Sequence, residues 1–390
     1  MATDLSENNV ATALAENERI ESHLHPQGST DLDAHLVPTG HEEVWRFTPM
    51  RRLAGLHKDT PIGDASALTI GVDAPDGVLV TQEGNDTKGA SGYLPADRIA
   101  ARAWHAADGA LTITVPTEAV IDAPTIVTIS GESIESASAQ HLVIKAEAFS
   151  KATIVLRYTG SAMLTENVEI IASDSAKLTV VSLQDWADDA IHLTHHHALV
   201  SRDAMLRHVA VTFGGDVVRF TGSVEYDGPG GEVELLGIYF ADAGQHLEHR
   251  LFVDHNAPKT ISNVDYKGAL QGKDAHGVWI GDVLIRKIAQ GINTYESNRN
   301  LVLTDGCRAD SVPNLEIETG DIEGAGHAST TGRFDDEQLF YLQSRGISAE
   351  EARRLVVRGF FADIIRKIGI PDIEAQLVQA VEDELRLSNA

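Results

Sequence analysis

From about Ser66 to Glu318 the chain repeats one texture. Short runs rich in Val, Ile, Leu and Thr are separated by Gly, Asp, Asn and Ser, and no amphipathic helix interrupts them. ATIVLRY from Ala152, AKLTVVSL from Ala176, AMLRHVAVTF from Ala204 and GEVELLGIYF from Gly231 begin 24, 28 and 27 residues apart. A loose period of roughly 25 residues without intervening helices points to stacked rungs of a β-solenoid, each rung burying its apolar side chains against its neighbours. A β-sandwich is the alternative, because the runs share no fixed side-chain signature. Stacked rungs end in strand edges, which the chain's own helices or a partner's sheet must cover.

The ends of the chain read differently. The stretch Ser311 to Gly346, SVPNLEIETGDIEGAGHASTTGRFDDEQLFYLQSRG, begins as an alternating strand, passes through a small-residue loop around His327 and ends in a capped helix. Asp335 and Asp336 open that helix and Gly346 closes it. Ser348 with Glu351 forms a capping box for a second helix, whose Leu355, Phe360, Ile364 and Ile368 fall on one stripe. Pro371 starts a third, with Leu377, Val381 and Leu385 repeating every four residues. At the other end, residues 1–43 carry nine acidic residues and one basic residue, Arg19. Spacing from Asp4 to Leu24 suits a short helix, and Trp45 and Phe47, within EEVWRFTPMRRLAGL, suit docking of this arm on the body. The expected organisation is an N-terminal acidic helical and linker segment (1–65), a mainly β core (66–333) and a C-terminal helical domain (334–390).

A net charge of −27 argues against nucleic-acid binding, which draws on phosphate neutralisation by Lys and Arg. Proteins or cations are the better-matched partners. No leader-like N-terminus and no apolar run of membrane-spanning length are present in the sequence, so no membrane association is expected. One cysteine, Cys307, allows no internal disulfide and suits a reducing cytoplasm. It also means the chain cannot hold an iron–sulfur cluster through four thiolates of its own. Within this acidic chain Arg353, Arg354, Arg358, Arg366 and Lys367 form a basic patch, read equally as a solvated helix face or as a docking surface for an acidic partner.

Few constellations suggest chemistry. His195, His196 and His197 form the loudest metal-like signal. On a strand, His195 and His197 share one face and His196 the other, but no carboxylate follows at cupin-like spacing. A surface or interface role is the preferred reading, ahead of a cupin-like metal site. Gly272-Lys273-Asp274 lacks the hydroxyl residue of a phosphate loop, so no bound nucleotide and no ATPase activity are expected. Gly324, Gly326 and Ser329 mimic part of a dinucleotide fingerprint outside any βαβ context and are set aside. His327 stands among Gly326, Ala328 and Ser329, which leave its imidazole accessible as a ligand for iron or zinc.

An ordered series of segments adds a resemblance. DWADDAIHLTHHHALVSRDAMLRHVAVTFGGD, FVDHNAP, YKGAL, NRNLVLTDGCRADSVPNLEI, DDEQLFYLQSRGI and EARRLVVRGFFADII closely resemble, in order, the SufD branch of the SufB/SufD family, in its actinobacterial form. These are scaffold subunits of the SUF iron–sulfur cluster assembly system. The resemblance implies a right-handed parallel β-helix core with a C-terminal α-helical domain, no enzymatic activity, and cytoplasmic location. It implies pairing with a SufB-like paralogue and binding of a SufC-like ATPase through the helical domain, where Arg353, Arg354, Arg358, Phe360 and Arg366 are the candidate contacts. It implies a transient iron–sulfur cluster, or iron, shared with SufB, with His327 as a candidate ligand. In isolation such a chain could pair with itself. Many family members have a cysteine two residues before that histidine, where this chain has Ala325, and Cys307 lies where the family usually has alanine. The competing reading, from the enzyme class, is a β-helix carbohydrate-active enzyme.

Overall fold

The structure, a computed structural model, describes residues 27–334 and 336–387; the helix expected over Asp4–Leu24 lies outside them. The body is a parallel β-solenoid, and each full rung contributes one strand to each of two sheets. Two early strands, β5 (Thr125–Ala146) and β6 (Lys151–Ala172), run through both sheets. Thereafter the strands alternate. One sheet continues through β7 (Lys177–Trp186), β9 (Met205–Phe213), β11 (Glu232–Ala241), β13 (Ile261–Leu270), β15 (Asn293–Val302) and β17 (Gly324–Arg333). The other continues through β8 (Ile191–Ser201), β10 (Val217–Asp227), β12 (His246–His255), β14 (His276–Ile285) and β16 (Arg308–Ile317).

Each rung is therefore longer than the recurrence in sequence suggested. Its first strands begin at Lys151, Lys177, Met205, Glu232, Ile261, Asn293 and Gly324, so the spacing ranges from 26 to 32 residues and is longest over the last turns. All four runs that carried the period lie in the first sheet. The second sheet escaped notice because its outward positions are polar, which breaks the apolar texture. The first turn of the solenoid is closed by the short β1 (Ile62–Gly63), parallel to β5, by β2 (Leu68–Asp73), antiparallel to it, and by β4 (Ala110–Val115), which runs parallel to β5 and antiparallel to β3 (Leu79–Glu83).

Between the sheets lies a continuous apolar interior including Ile154, Leu164, Val180, Phe220, Leu235, Leu251, Tyr266 and Trp279. The outer faces are covered by opposite ends of the chain. Over the first sheet lie two long C-terminal helices, α3 (Ala349–Ile368) and α4 (Pro371–Leu387), in our numbering following α1 (Arg98–Ala106) and α2 (Asp336–Ser344). The buried stripe of α3 is Val357, Phe361, Ile364, Ile365 and Ile368. Leu355, expected on it, is 44% exposed, and Phe360 is only partly buried, because the sheet lies one position further round the helix. On α4 the expected Leu377, Val381 and Leu385 are buried. Gly346 ends α2 with φ +84°, where a side chain would be strained, and Ser348 Oγ accepts from Glu351 N–H at 3.2 Å.

Residues 44–62 and 84–106 cover the second sheet. Trp45, Leu53, Leu56 and Ile99 pack on Ala137, Ile191, Leu193 and Val217, so the arm docks as expected. Its helix α1, inside the region read as wholly β, was not anticipated. Asp97 caps it by accepting from Ala100 N–H.

Candidate functional site

The solenoid ends openly. Its interior strands are almost wholly buried, whereas β16 is half-buried between exposed ends and β17 is mostly exposed. Among the described residues β17 pairs on one side only, with β15. The small-residue stretch around His327, expected as a loop, is this last strand. Gly324 to Arg333 pair in parallel with Asn293 to Val302, and the ladder overrides the poor strand propensity of Gly, Ala and Ser.

His327 lies opposite Glu296, which stands one turn earlier, 31 residues upstream. Their alignment follows the interior positions of β13 and β15, where Val264 meets Glu296 and Tyr266 meets Asn298. The imidazole is 43% exposed, while the Glu296 side chain is only 2% exposed. Nδ1 of His327 is 4.0 Å from Oε1 of Glu296, and that oxygen has no hydrogen-bond partner. Burial, with the nearby Asp282 charge adding to it, pushes the Glu296 carboxyl up to about 8. Gly281 makes room for it, since a Cβ there would come within 2.4 Å of both Glu296 Oε2 and the Trp279 ring. Ala325, two residues before His327 on the same face, packs against the interior. A thiol at that position would face the same way as the imidazole.

Polar side chains enter the interior towards this end. Asn298 donates to Tyr239 Oη at 3.2 Å, Asn300 to Asn298 at 2.8 Å, and Ser311 to Asn298 at 2.8 Å. Such residues tolerate an unfinished end, where an apolar last rung would face water. The sequence alone does not single out Glu296; stacking by one rung is the signal that finds it, once the 31-residue rung at this end is known.

The histidine run is not at the surface. His195, His196 and His197 are all buried. Alternation holds: His196 turns inward, its Nδ1 3.0 Å from His208 Nε2, while His195 and His197 turn outward and both meet Ser223 Oγ at 2.9 Å. Residues 84–97 cover them, with the Tyr93 ring edge-on to His195 and stacked on His197. The run is buried rather than at the surface because residues 84–97 fold over it. His195 and His197 share one face as the alternation requires, and no group of three or more potential metal ligands occurs among the described residues. Burial lowers His195 to about 3, against the pull of Asp97, and His197 to about 4, against that of Glu169.

The candidate docking arginines divide. Arg354 is engaged within the helical layer, by Glu351 and by Glu382 at 3.1 Å. Arg353 stacks over Phe334. Arg358, 3.9 Å from Glu382, remains 58% exposed, and Arg366 is exposed. Phe360 is partly buried, and Lys267 Nζ donates to its carbonyl at 2.8 Å. Cys307 Sγ donates to Gly272 O, and its side chain packs against the interior.

This geometry, a solenoid with an open, polar last rung bearing one accessible imidazole, accompanies a family match. Residues 127–360 match the model of the SUF system FeS cluster assembly SufBD core domain, and the chain belongs to that family. An iron–sulfur cluster assembly SufBD family protein of Mycobacterium bovis is 51% identical over 382 residues, covering 95% of this chain and 96% of that one. The iron–sulfur cluster assembly protein SufD of Bacillus subtilis is 27% identical over 294 residues, covering 73% of this chain and 66% of that one. A second SufBD family protein of Mycobacterium bovis is 28% identical over 211 residues, covering 54% of this chain and 25% of its own length. No described helix is long and apolar enough to cross a membrane.

Proposed function

We propose that the chain is a SufD-type, non-catalytic scaffold subunit that receives iron and sulfide as cargo at the open end of its solenoid. The observation that carries this reading is the exposed His327 imidazole on an edge strand whose outer side has no partner among the described residues. An edge of small, uncharged residues such as GAGHASTTG offers free backbone N–H and C=O groups to another sheet. A SufB-like paralogue is the occupant. Mycobacterium bovis carries both the 51% identical and the more distant, 28% identical SufBD family protein, which supports a paralogue pair. The partner supplies the thiolates that this chain, with one partly buried cysteine, lacks. In its absence the same edge can pair with a second copy.

The SufC-like ATPase docks on the outer side of α3, where Arg358 and Arg366 stand free of the sheet. This chain itself binds no nucleotide and works in the cytoplasm. The test is anaerobic reconstitution of iron and sulfide on the purified complex, comparing wild type with His327→Ala and checking integrity by size exclusion. Cluster formation is expected to be impaired in an intact complex. Wild-type cluster yield in the variant would remove His327 from the site.

A further inference from the structure

His327 has a companion that the proposed function does not use. Glu296 is a buried carboxylate at the mouth of the solenoid, and Oε1, its oxygen nearest the imidazole, lacks a hydrogen-bond partner. Buried polar atoms are almost always satisfied, so an orphaned carboxylate oxygen beside an accessible imidazole points to a missing partner. Its position is built rather than accidental. The two residues are in-register neighbours on adjacent rungs, and only a glycine at 281 leaves space for the carboxylate.

We propose that Glu296 is a metal ligand in its own right, so that this chain offers a divalent iron ion one carboxylate oxygen and one imidazole nitrogen. This rests on the reading of His327 as an iron-site residue. Two metal–ligand bonds of about 2.0–2.2 Å each span the 4.0 Å between Glu296 Oε1 and His327 Nδ1. The half-exposed imidazole can swing to narrow the angle, whereas the buried carboxylate is held. An oxygen and an aromatic nitrogen suit Fe2+, and Ala325 on the same face supplies no third donor, so the remaining donors come from another chain or water. In this pairing the carboxylate takes the place of a second histidine or a cysteine from the same strand.

The test uses the full chain, produced without a polyhistidine tag and titrated anaerobically with Co2+ as a coloured probe for Fe2+. The readouts are affinity and the d–d spectrum, each taken as a difference from His327→Ala. In wild type the pair is expected to give a saturable, His327-dependent band. Glu296→Gln, nearly isosteric and uncharged, is expected to weaken binding at least tenfold and to shift the band, while the exposed Glu323→Gln changes neither. Should Glu296→Gln not fold, Glu296→Asp, which withdraws the carboxylate by one methylene, carries the same expectation. Loss of the band in His327→Ala with unchanged affinity and spectrum in Glu296→Gln would overturn the Glu296 assignment and leave His327 standing. Weakened affinity with an unchanged spectrum would overturn it too, making Glu296 a residue that merely orients the imidazole. A wild-type chain with no His327-dependent band would overturn both together.

Discussion

The two outer faces of the solenoid are built on opposite principles. On the first sheet, Val155, Val181, Val209 and Leu236 stack in one column and Leu183, Val211 and Ile238 in the next, and α3 and α4 cover them with aliphatic and aromatic side chains. On the second, the columns read Asn167, His195, Thr221, Arg250 and Glu169, His197, Ser223. There the cover is stitched by hydrogen bonds. Gly89 and Ser91 donate to Glu169, Tyr93 to Asn167 and Thr48 to Glu248, while Arg219 lies over the Trp45 ring at 3.9 Å. An apolar face gains from any cover that excludes water, whereas a polar face is sealed only where each buried group meets its partner. The first cover is therefore tolerant of detail, and the second is specific and sensitive to protonation.

The largest effect expected from breaking this contrast is removal of residues 335–390. The helices are not a detachable module, because deleting them bares the columns around Phe213, Leu236, Ile238 and Phe240. The truncated chain should aggregate or bind a hydrophobic dye strongly; a monomeric, dye-silent product on size exclusion would show that this face needs no cover. Next comes Phe361→Ala, which empties a fully buried site on α3 and should cost about 3–5 kcal/mol in urea unfolding. A loss below about 1 kcal/mol would mean that the helical layer repacks freely.

Acid should act on the polar face first. His195 and His197 are held neutral when folded, with pKa values of about 3 and about 4, whereas in the unfolded chain they protonate near ~6.5. Below that pH the unfolded state binds protons that the folded state refuses, so stability falls from about 6.5 down to about 3–4. Glu248 adds a later loss. Burial raises it, but Arg219, His246 and Arg250 outweigh that and hold it at about 2, so its contribution declines as pH drops from about 4.3 towards 2. Hydrogen exchange at pH 7 and pH 5 should show residues 84–97 opening before α3 and α4. Equal protection at both pH values would refute the contrast. The smallest effect is at the exposed arginines: Arg358→Glu with Arg366→Glu should shift stability by no more than about 0.5 kcal/mol while abolishing co-purification with the ATPase. Retained binding would move the docking surface elsewhere.

Much of the architecture was legible because it is local. Apolar runs that recur about every 25 residues favour stacked strands over a sandwich, and the caps at Gly346 and Ser348 fix where helices stop and start. His327 stood out by its small neighbours. Less was legible of the second sheet, whose His, Arg and Glu side chains suggest a surface until the cover over them is known. Nor could sequence spacing pair His327 with Glu296 while the period was taken as roughly 25 residues rather than the 31 that separates them.

By itself, then, the sequence determined the class of fold, the helical tail and the accessible histidine, all of which follow from periodicity, turn chemistry and side-chain size within a few neighbouring residues. Tertiary structure alone decided that the stretch around His327 is a strand, that the triple histidine is buried, and that a carboxylate one rung away faces the imidazole. Those outcomes depend on register between segments about 30 residues apart and on which part of the chain folds over which face, and both are set by the packed whole rather than by any local pattern.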